Sequence, residues 1–83
     1  MWYLYIVKCN DNSLYTGITT DLKRREIEHN TDNKRGAKSL RGKRPVTMVY
    51  YETYFSQSEA RKREAQIKKW STSYKWKLIS PKY

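Results

Sequence analysis

Through the first nineteen residues apolar positions recur on both sides of an extended chain; beyond them that order is lost. In WYLYIVKC, from Trp2 to Cys9, Tyr3, Tyr5, Val7 and Cys9 fall on one side and Leu4 and Ile6 on the other. Apolar residues on both sides are expected of a strand covered on both faces, in the middle of a sheet. Asn10, Asp11, Asn12 and Ser13 then break the pattern. Such residues tolerate unusual dihedrals and bond their own backbone, so a hairpin is expected. Leu14 to Thr19 forms its second strand, with Tyr15 and Gly17 on one face and Leu14, Thr16 and Ile18 on the other. A glycine inside a strand costs backbone entropy and packs nothing. Either something approaches the backbone closely at Gly17 or the strand bulges there.

The period then changes. Thr19, Thr20 and Asp21 supply an N-cap for a helix from Leu22 to His29, with Asn30 as its stop. The apolar stripe of that helix is poor: Leu22 and Ile27 do not share a face, and Arg25, Glu26 and His29 fall on or near the Leu22 side. A polar inward face needs a chemical reason. From Thr31 to Pro45 periodicity disappears and Lys34, Arg35, Lys38, Arg41, Lys43 and Arg44 accumulate. A long loop of this kind is functional or disordered; phosphate contact is the natural function, a solvated charge run the plain alternative. Val46 to Thr53 returns to strand composition. Ser56 or Ser58 caps a second helix reaching about Trp70, in which Ala60, Glu64 and Ile67 share one stripe. Buried carboxylates are paired. Glu64 is therefore expected to meet a buried arginine or a cation. Ser71 caps a last helix through about Ile79, with Tyr74 and Leu78 packing back and Pro81 ending the regular structure. No repeat or linker divides residues 1–83, so one domain is expected.

Charge narrows the partner. Eighteen Lys and Arg against eight Asp and Glu give the 83 residues a formal charge of +10, a bias toward a polyanion, with nucleic acid leading. No apolar run approaches the roughly 18 residues of a spanning helix, and no basic segment leads into an apolar one. A soluble protein of the cytoplasm, in the cytosol or nucleoid, with no membrane partner, is the expectation. The single Cys9 permits neither an internal disulfide nor a multi-cysteine metal site, and is expected in the core.

Tyr3-Leu4-Tyr5, Tyr15-Thr16-Gly17, Arg25, His29 with Asn30, and Glu64 within EAQIKKW form an ordered set. It resembles the GIY-YIG endonuclease superfamily, the two tripeptides being degenerate forms of its name-giving motifs. SLYTGITTDLKRR, GAK and SEARKREAQIKKW look like the small, stand-alone bacterial branch often called YhbQ-like. The resemblance covers nearly the whole chain. It implies an α+β fold: a three-stranded antiparallel sheet of order 2-1-3 flanked by helices, in the sequence ββαβαα. It also implies a metal-dependent endonuclease acting on DNA. With no recognisable base-reading element beyond the basic loop, a structural rather than sequence preference is expected, and repair or processing follows from it. A nucleic-acid-binding module with weak or absent catalysis, including one for RNA, is the alternative.

Phosphodiester hydrolysis needs an aligned nucleophile, a proton acceptor and positive charge at the transition state. By similarity, Tyr15 is the general base or orients the attacking water, and Tyr5 helps to hold it. A tyrosine, with an ordinary pKa of about 10, needs nearby cations to act as a base. Arg25 holds the scissile phosphate in its planar fork, and His29, one turn later, reaches the same phosphate. Glu64 binds one divalent cation, magnesium or manganese, whose shell water and phosphate complete. Gly17, Arg24 and the basic residues from Lys34 to Arg44 are the expected nucleic-acid contacts. Each residue alone has a plainer reading: Tyr5 and Tyr15 as a cross-strand pair, Arg24 and Arg25 as solvated charges, His29 answering the end of its helix, Glu64 as partner of Arg25. Together they fit a site better. Two positions depart from the pattern. Ile18 stands where some members carry a lysine after the glycine, leaving that role unfilled or moved elsewhere. Glu26 lies where related helices look apolar, free to repel substrate or to pair with Arg24 or Lys23.

Overall fold

The alternation of the first strand decides the architecture. In the computed structural model, which describes residues 1–80, β1 (Trp2–Lys8) lies between β2 (Leu14–Thr19) and β3 (Thr47–Tyr54) in an antiparallel sheet of order β2-β1-β3. Helix α1 (Leu22–Thr31) precedes β3; α2 (Gln57–Lys68) and α3 (Thr72–Ile79) follow it. This is the expected α+β order with one addition, a short 3₁₀ helix (Lys38–Lys43) in the basic stretch. The expected stop at Pro81 lies outside the described residues.

Each face of β1 feeds a separate core. Leu4 and Ile6 pack with Val49, Tyr50, Ile67 and Ile79 on the side of α2 and α3, while Tyr5, Val7 and Cys9 pack with Leu40 and Val46 on the other. Cys9 is the expected small core residue. The hairpin closes through Asn12 at φ 68° and through the Asp11 carboxylate, which accepts from the Ser13 amide and hydroxyl at 3.0 and 2.6 Å. A register shift does occur in the sheet, but between β1 and β3 at Ile6 and Val7 and not at Gly17.

Asp21 caps α1, accepting from the Arg24 amide at 3.0 Å. The helix runs two residues beyond His29, so Asn30 does not stop it. Its side chain reaches the residue just before β3 instead, accepting from the Val46 amide at 2.7 Å and donating to the Val46 carbonyl at 3.0 Å. Glu26 reaches the strand itself, its carboxylate accepting from the Met48 amide at 2.6 Å. The two side chains act as substitute strand partners at the start of an edge strand, whose backbone groups need partners. Glu26 is thus a fastener, where repulsion of substrate or a pair with Arg24 or Lys23 was the sequence expectation.

The basic stretch is built on backbone contacts that no side-chain period announces. A Cβ at Gly36 would stand 2.5 Å from the Glu28 carbonyl oxygen and 2.6 Å from that of Asp32, so the loop closes directly on the end of α1. Arg44 completes that end, donating to the His29 carbonyl at 2.6 Å, to Asn33 Oδ1 at 3.0 Å and to the Asp32 carbonyl at 3.3 Å. Leu40 anchors the 3₁₀ helix in the core.

Helix α2 opens with a capping box between Ser56 and Glu59, and α3 with Ser71. Leu78 packs inward as expected, together with Trp76 and Ile79. Tyr74 does not: it is exposed, leaning on Trp70 with ring centroids 4.7 Å apart. Among the described residues, no helix is long and apolar enough to cross a membrane.

Candidate active site

Alternation on β1 and β2 sends Tyr5, Tyr15 and Gly17 to the face covered by α1. Tyr5 pairs in register with Gly17, and a Cβ there would lie 2.5 Å from the Tyr5 hydroxyl oxygen. Gly17 therefore makes room for a tyrosine ring, where a nucleic-acid contact was expected. Tyr15 is not directly opposite Tyr5, since it pairs with Val7. Both rings meet instead at His29, whose ring centroid lies 5.8 Å from that of Tyr5 and 5.4 Å from that of Tyr15.

His29 is the polar inward face that the helix pattern foreshadowed, and it is fully buried. Its Nε2 lies 2.6 Å from the Tyr5 hydroxyl oxygen, and its Nδ1 accepts from the Ala37 amide at 3.2 Å. Arg25, one turn earlier, donates to Glu28 Oε1 at 3.0 Å and to the Arg35 carbonyl at 2.6 Å, and its guanidinium also acts on the Tyr5 oxygen. Glu64 arrives from α2, between buried Ala60 and Ile67, and its charge is felt at Tyr5. Its ion-pair partner is Lys68, at 3.2 Å, so the pair with Arg25 is not formed; Glu28 takes that place.

Tyr5 and His29 both titrate away from their ordinary values. Burial pushes Tyr5 up to about 12, helped by Tyr15 and Glu64 and opposed by Arg25, so it keeps its proton at neutral pH. Burial pushes His29 down to about 4, reinforced by the guanidiniums of Arg25 and Arg44 against Glu28, so its imidazole is neutral.

The remaining sequence candidates divide by what holds them. Arg24 is exposed and reaches Glu28 at 3.6 Å. Arg35 pairs with Asp32 at 3.4 Å, Arg41 donates to the Asn33 carbonyl, and Lys43 reaches Asp11 at 3.8 Å and the Ser13 hydroxyl at 3.3 Å. Arg44 is committed to the end of α1, while Lys34 and Lys38 are exposed to solvent. Ile18 packs against the opposite core, so the residue after Gly17 does not face Tyr5 and Tyr15.

Among the described residues, no group of three or more His, Cys, Asp or Glu could hold a metal. A magnesium-type ion does not require one, because it keeps several waters and is held through one or two carboxylates plus substrate phosphate. Glu64 suits that demand, being a hard oxygen donor, partly exposed and already holding a cation in the Lys68 ammonium. Sequence reasoning missed Glu28, which the i, i+3 spacing from Arg25 could have found. It also missed Arg35 and Ala37 as backbone partners, for which a side-chain pattern carries no signal.

The GIY-YIG catalytic domain family model matches residues 1–78. The chain belongs to that family, a nuclease superfamily whose members generally depend on a metal. A UPF0213 protein of Staphylococcus epidermidis is 52% identical over 77 residues, covering 93% of this chain and 92% of the relative. A UPF0213 protein of Clostridium perfringens is 49% identical over 82 residues, 99% of this chain and 86% of the relative. The solution structure of a UPF0213 protein from Bacillus halodurans matches with a TM-score of 0.61 at 40% identity, over 99% of this chain and 86% of that one.

Proposed function

We propose that this protein is a divalent-metal-dependent endonuclease that hydrolyses the phosphodiester backbone of DNA, with structural rather than sequence preference, in repair or processing. The observation that carries this reading is the meeting of Tyr5 and Tyr15 at His29, with the Arg25 guanidinium and the Glu64 charge both acting on Tyr5. Tyr15 orients or deprotonates the attacking water. Arg25 faces the scissile phosphate, offering charge-assisted donors where negative charge gathers. Glu28 and the Arg35 carbonyl hold that guanidinium in place before substrate arrives. Glu64 would hold the metal, magnesium or manganese, in place of Lys68, and the ion, when bound, would supply Lewis acidity toward a phosphate oxygen and toward water. Exposed Lys34, Lys38 and Arg41 contact phosphates, which position the substrate without reading its sequence. Contacts of this kind, to backbone phosphate, favour structure over sequence.

The test uses branched, flapped, single-stranded and duplex DNA, and RNA, with magnesium, manganese or chelator. Arg25→Ala and Glu64→Ala are each expected to lower turnover by about a thousandfold, equivalent to about 4 kcal/mol of transition-state stabilisation. A binding module without catalysis is the second reading, favoured by Ile18 being turned into the opposite core. It prevails if no substrate is cut in any metal while both variants still bind.

A further inference from the structure

The hydrogen bonds of His29 fix where two protons lie. A backbone amide can only donate, so the Ala37 N–H at 3.2 Å requires a lone pair on Nδ1. A neutral imidazole with a lone pair on Nδ1 carries its proton on Nε2. Nε2–H therefore donates to the Tyr5 oxygen at 2.6 Å. Tyr5 therefore receives from His29 and does not give its proton to it. Its hydroxyl is buried, pressed over Gly17, and among the described residues no acceptor takes that proton. A buried donor without an acceptor is costly, and a ligand oxygen beside it recovers that cost.

We propose that Ala37 is a positioning residue whose backbone amide sets the tautomer of His29 and thereby makes Tyr5 a hydrogen-bond donor to a phosphate oxygen or to the attacking water, not a proton acceptor. The inference rests on the nuclease reading for the identity of that oxygen, but its first half is a property of the free protein. It also ties the basic loop to the chemistry. Arg35 and Ala37 place a carbonyl on Arg25 and an amide on His29, so the segment that carries phosphate-binding charge also orients both site side chains.

The first measurement is the tautomer of His29 in uniformly nitrogen-15-labelled protein, read from long-range proton–nitrogen correlations across the imidazole at neutral pH. Only the form with Nε2 protonated is expected; a protonated Nδ1, or an imidazolium, overturns the proposal. The second measurement removes the amide. An amide-to-ester replacement at residue 37, made by chemical synthesis, deletes the donor without placing any new atom against His29, as a proline Cδ would do at the 3.2 Å contact. In that variant His29 is expected to populate the Nδ1-protonated form, with kcat lowered roughly tenfold and KM little changed. An unchanged tautomer overturns the proposal. Tyr5→Phe is expected to keep the tautomer and lose kcat; full kcat in that variant overturns the donor role. If the wild-type protein cuts nothing, the nuclease reading falls while the tautomer result still decides the link from Ala37 to His29.

Discussion

Each face of the sheet carries a polar cluster of tyrosines, an arginine and a carboxylate, and the two are finished to different degrees. On the side of α2, Glu52 accepts from Arg63 Nε at 2.9 Å and Nη2 at 3.1 Å, from Tyr50 at 2.5 Å and from Tyr54 at 2.6 Å. Arg63 also donates to Gln66 at 2.8 Å and stacks 5.2 Å from the Trp70 ring. Burial opposes ionisation of Glu52, but its donors outweigh burial and hold the carboxyl below its usual range. The same environment, burial first and then the Glu52 charge, pushes Tyr50 and Tyr54 up to about 12. On the side of α1, Tyr5 has a proton without an acceptor and Arg25 is propped rather than enclosed, while Glu64, whose charge reaches Tyr5 from α2, is paired with an exposed lysine. Residue types alone do not distinguish a strut from a site. Within the charged clusters unfilled hydrogen-bonding capacity does, since a satisfied network rigidifies and an incomplete one awaits a ligand; the buried Thr16 Oγ1, on the α2 side but outside the Glu52–Arg63 network, also lacks a partner among the described residues.

That contrast predicts opposite mutational signatures. Removing Arg25 or Glu64 is expected to abolish most turnover while leaving the thermal midpoint within a few degrees. Glu52→Ala is expected to do the reverse. It strands a largely buried guanidinium and two hydroxyls, costing about 3 kcal/mol, or a fall of about 15 °C in midpoint for a domain of this size. Thermal unfolding beside single-turnover kinetics checks both. An active-site variant as unstable as Glu52→Ala would erase the distinction.

A smaller effect separates the clusters by pH. His29 has a folded pKa of about 4, below its ordinary value of 6.5. The unfolded chain therefore binds the proton first as pH falls. Stability contributed by neutral His29 is fully present above about pH 6.5 and is lost as pH falls toward 4, by about 2 kcal/mol between pH 7 and 5. The carboxyls of Glu52, Asp11 and Asp32, all held below their usual range, lose their contributions only lower down. Denaturant titrations are expected to show a slope between pH 6.5 and 5 that His29→Gln flattens and Glu52→Ala keeps.

Sequence disclosed whatever rests on side-chain period. The two-faced β1, the close approach at Gly17, the polar face of α1 and the carboxylate in the α2 stripe were all legible, because burial follows alternation and helical spacing. Two kinds of feature were hidden. The Glu52–Arg63 network joins residues of β3 and α2 that meet only after the sheet forms, so local spacing holds no trace of it. Order in the basic stretch rests on Gly36 meeting the end of α1 and on amide and carbonyl groups that every residue carries. A run such as Lys34 to Arg44 reads as uniform charge, although Arg44 is a cap and Lys34 is solvated.

Within that run the same distinction gives the smallest predicted effect. Lys34 and Lys38 are exposed, whereas Arg44 is bound to three groups at the end of α1. If unfilled capacity marks function here too, Lys34→Ala with Lys38→Ala is expected to weaken duplex DNA binding several-fold without moving the thermal midpoint. The slope of log affinity against log salt should fall by about two, one for each lost phosphate contact. Arg44→Ala is expected to cost about 1–2 kcal/mol of stability, by stranding the carbonyls it caps, and to change the salt slope by less than one. Fluorescence anisotropy across a salt series, beside thermal unfolding, decides it. A salt slope that falls as far in Arg44→Ala as in the lysine pair would show that a residue can serve as a strut and still meet the phosphate, and that saturation alone does not separate the two regions.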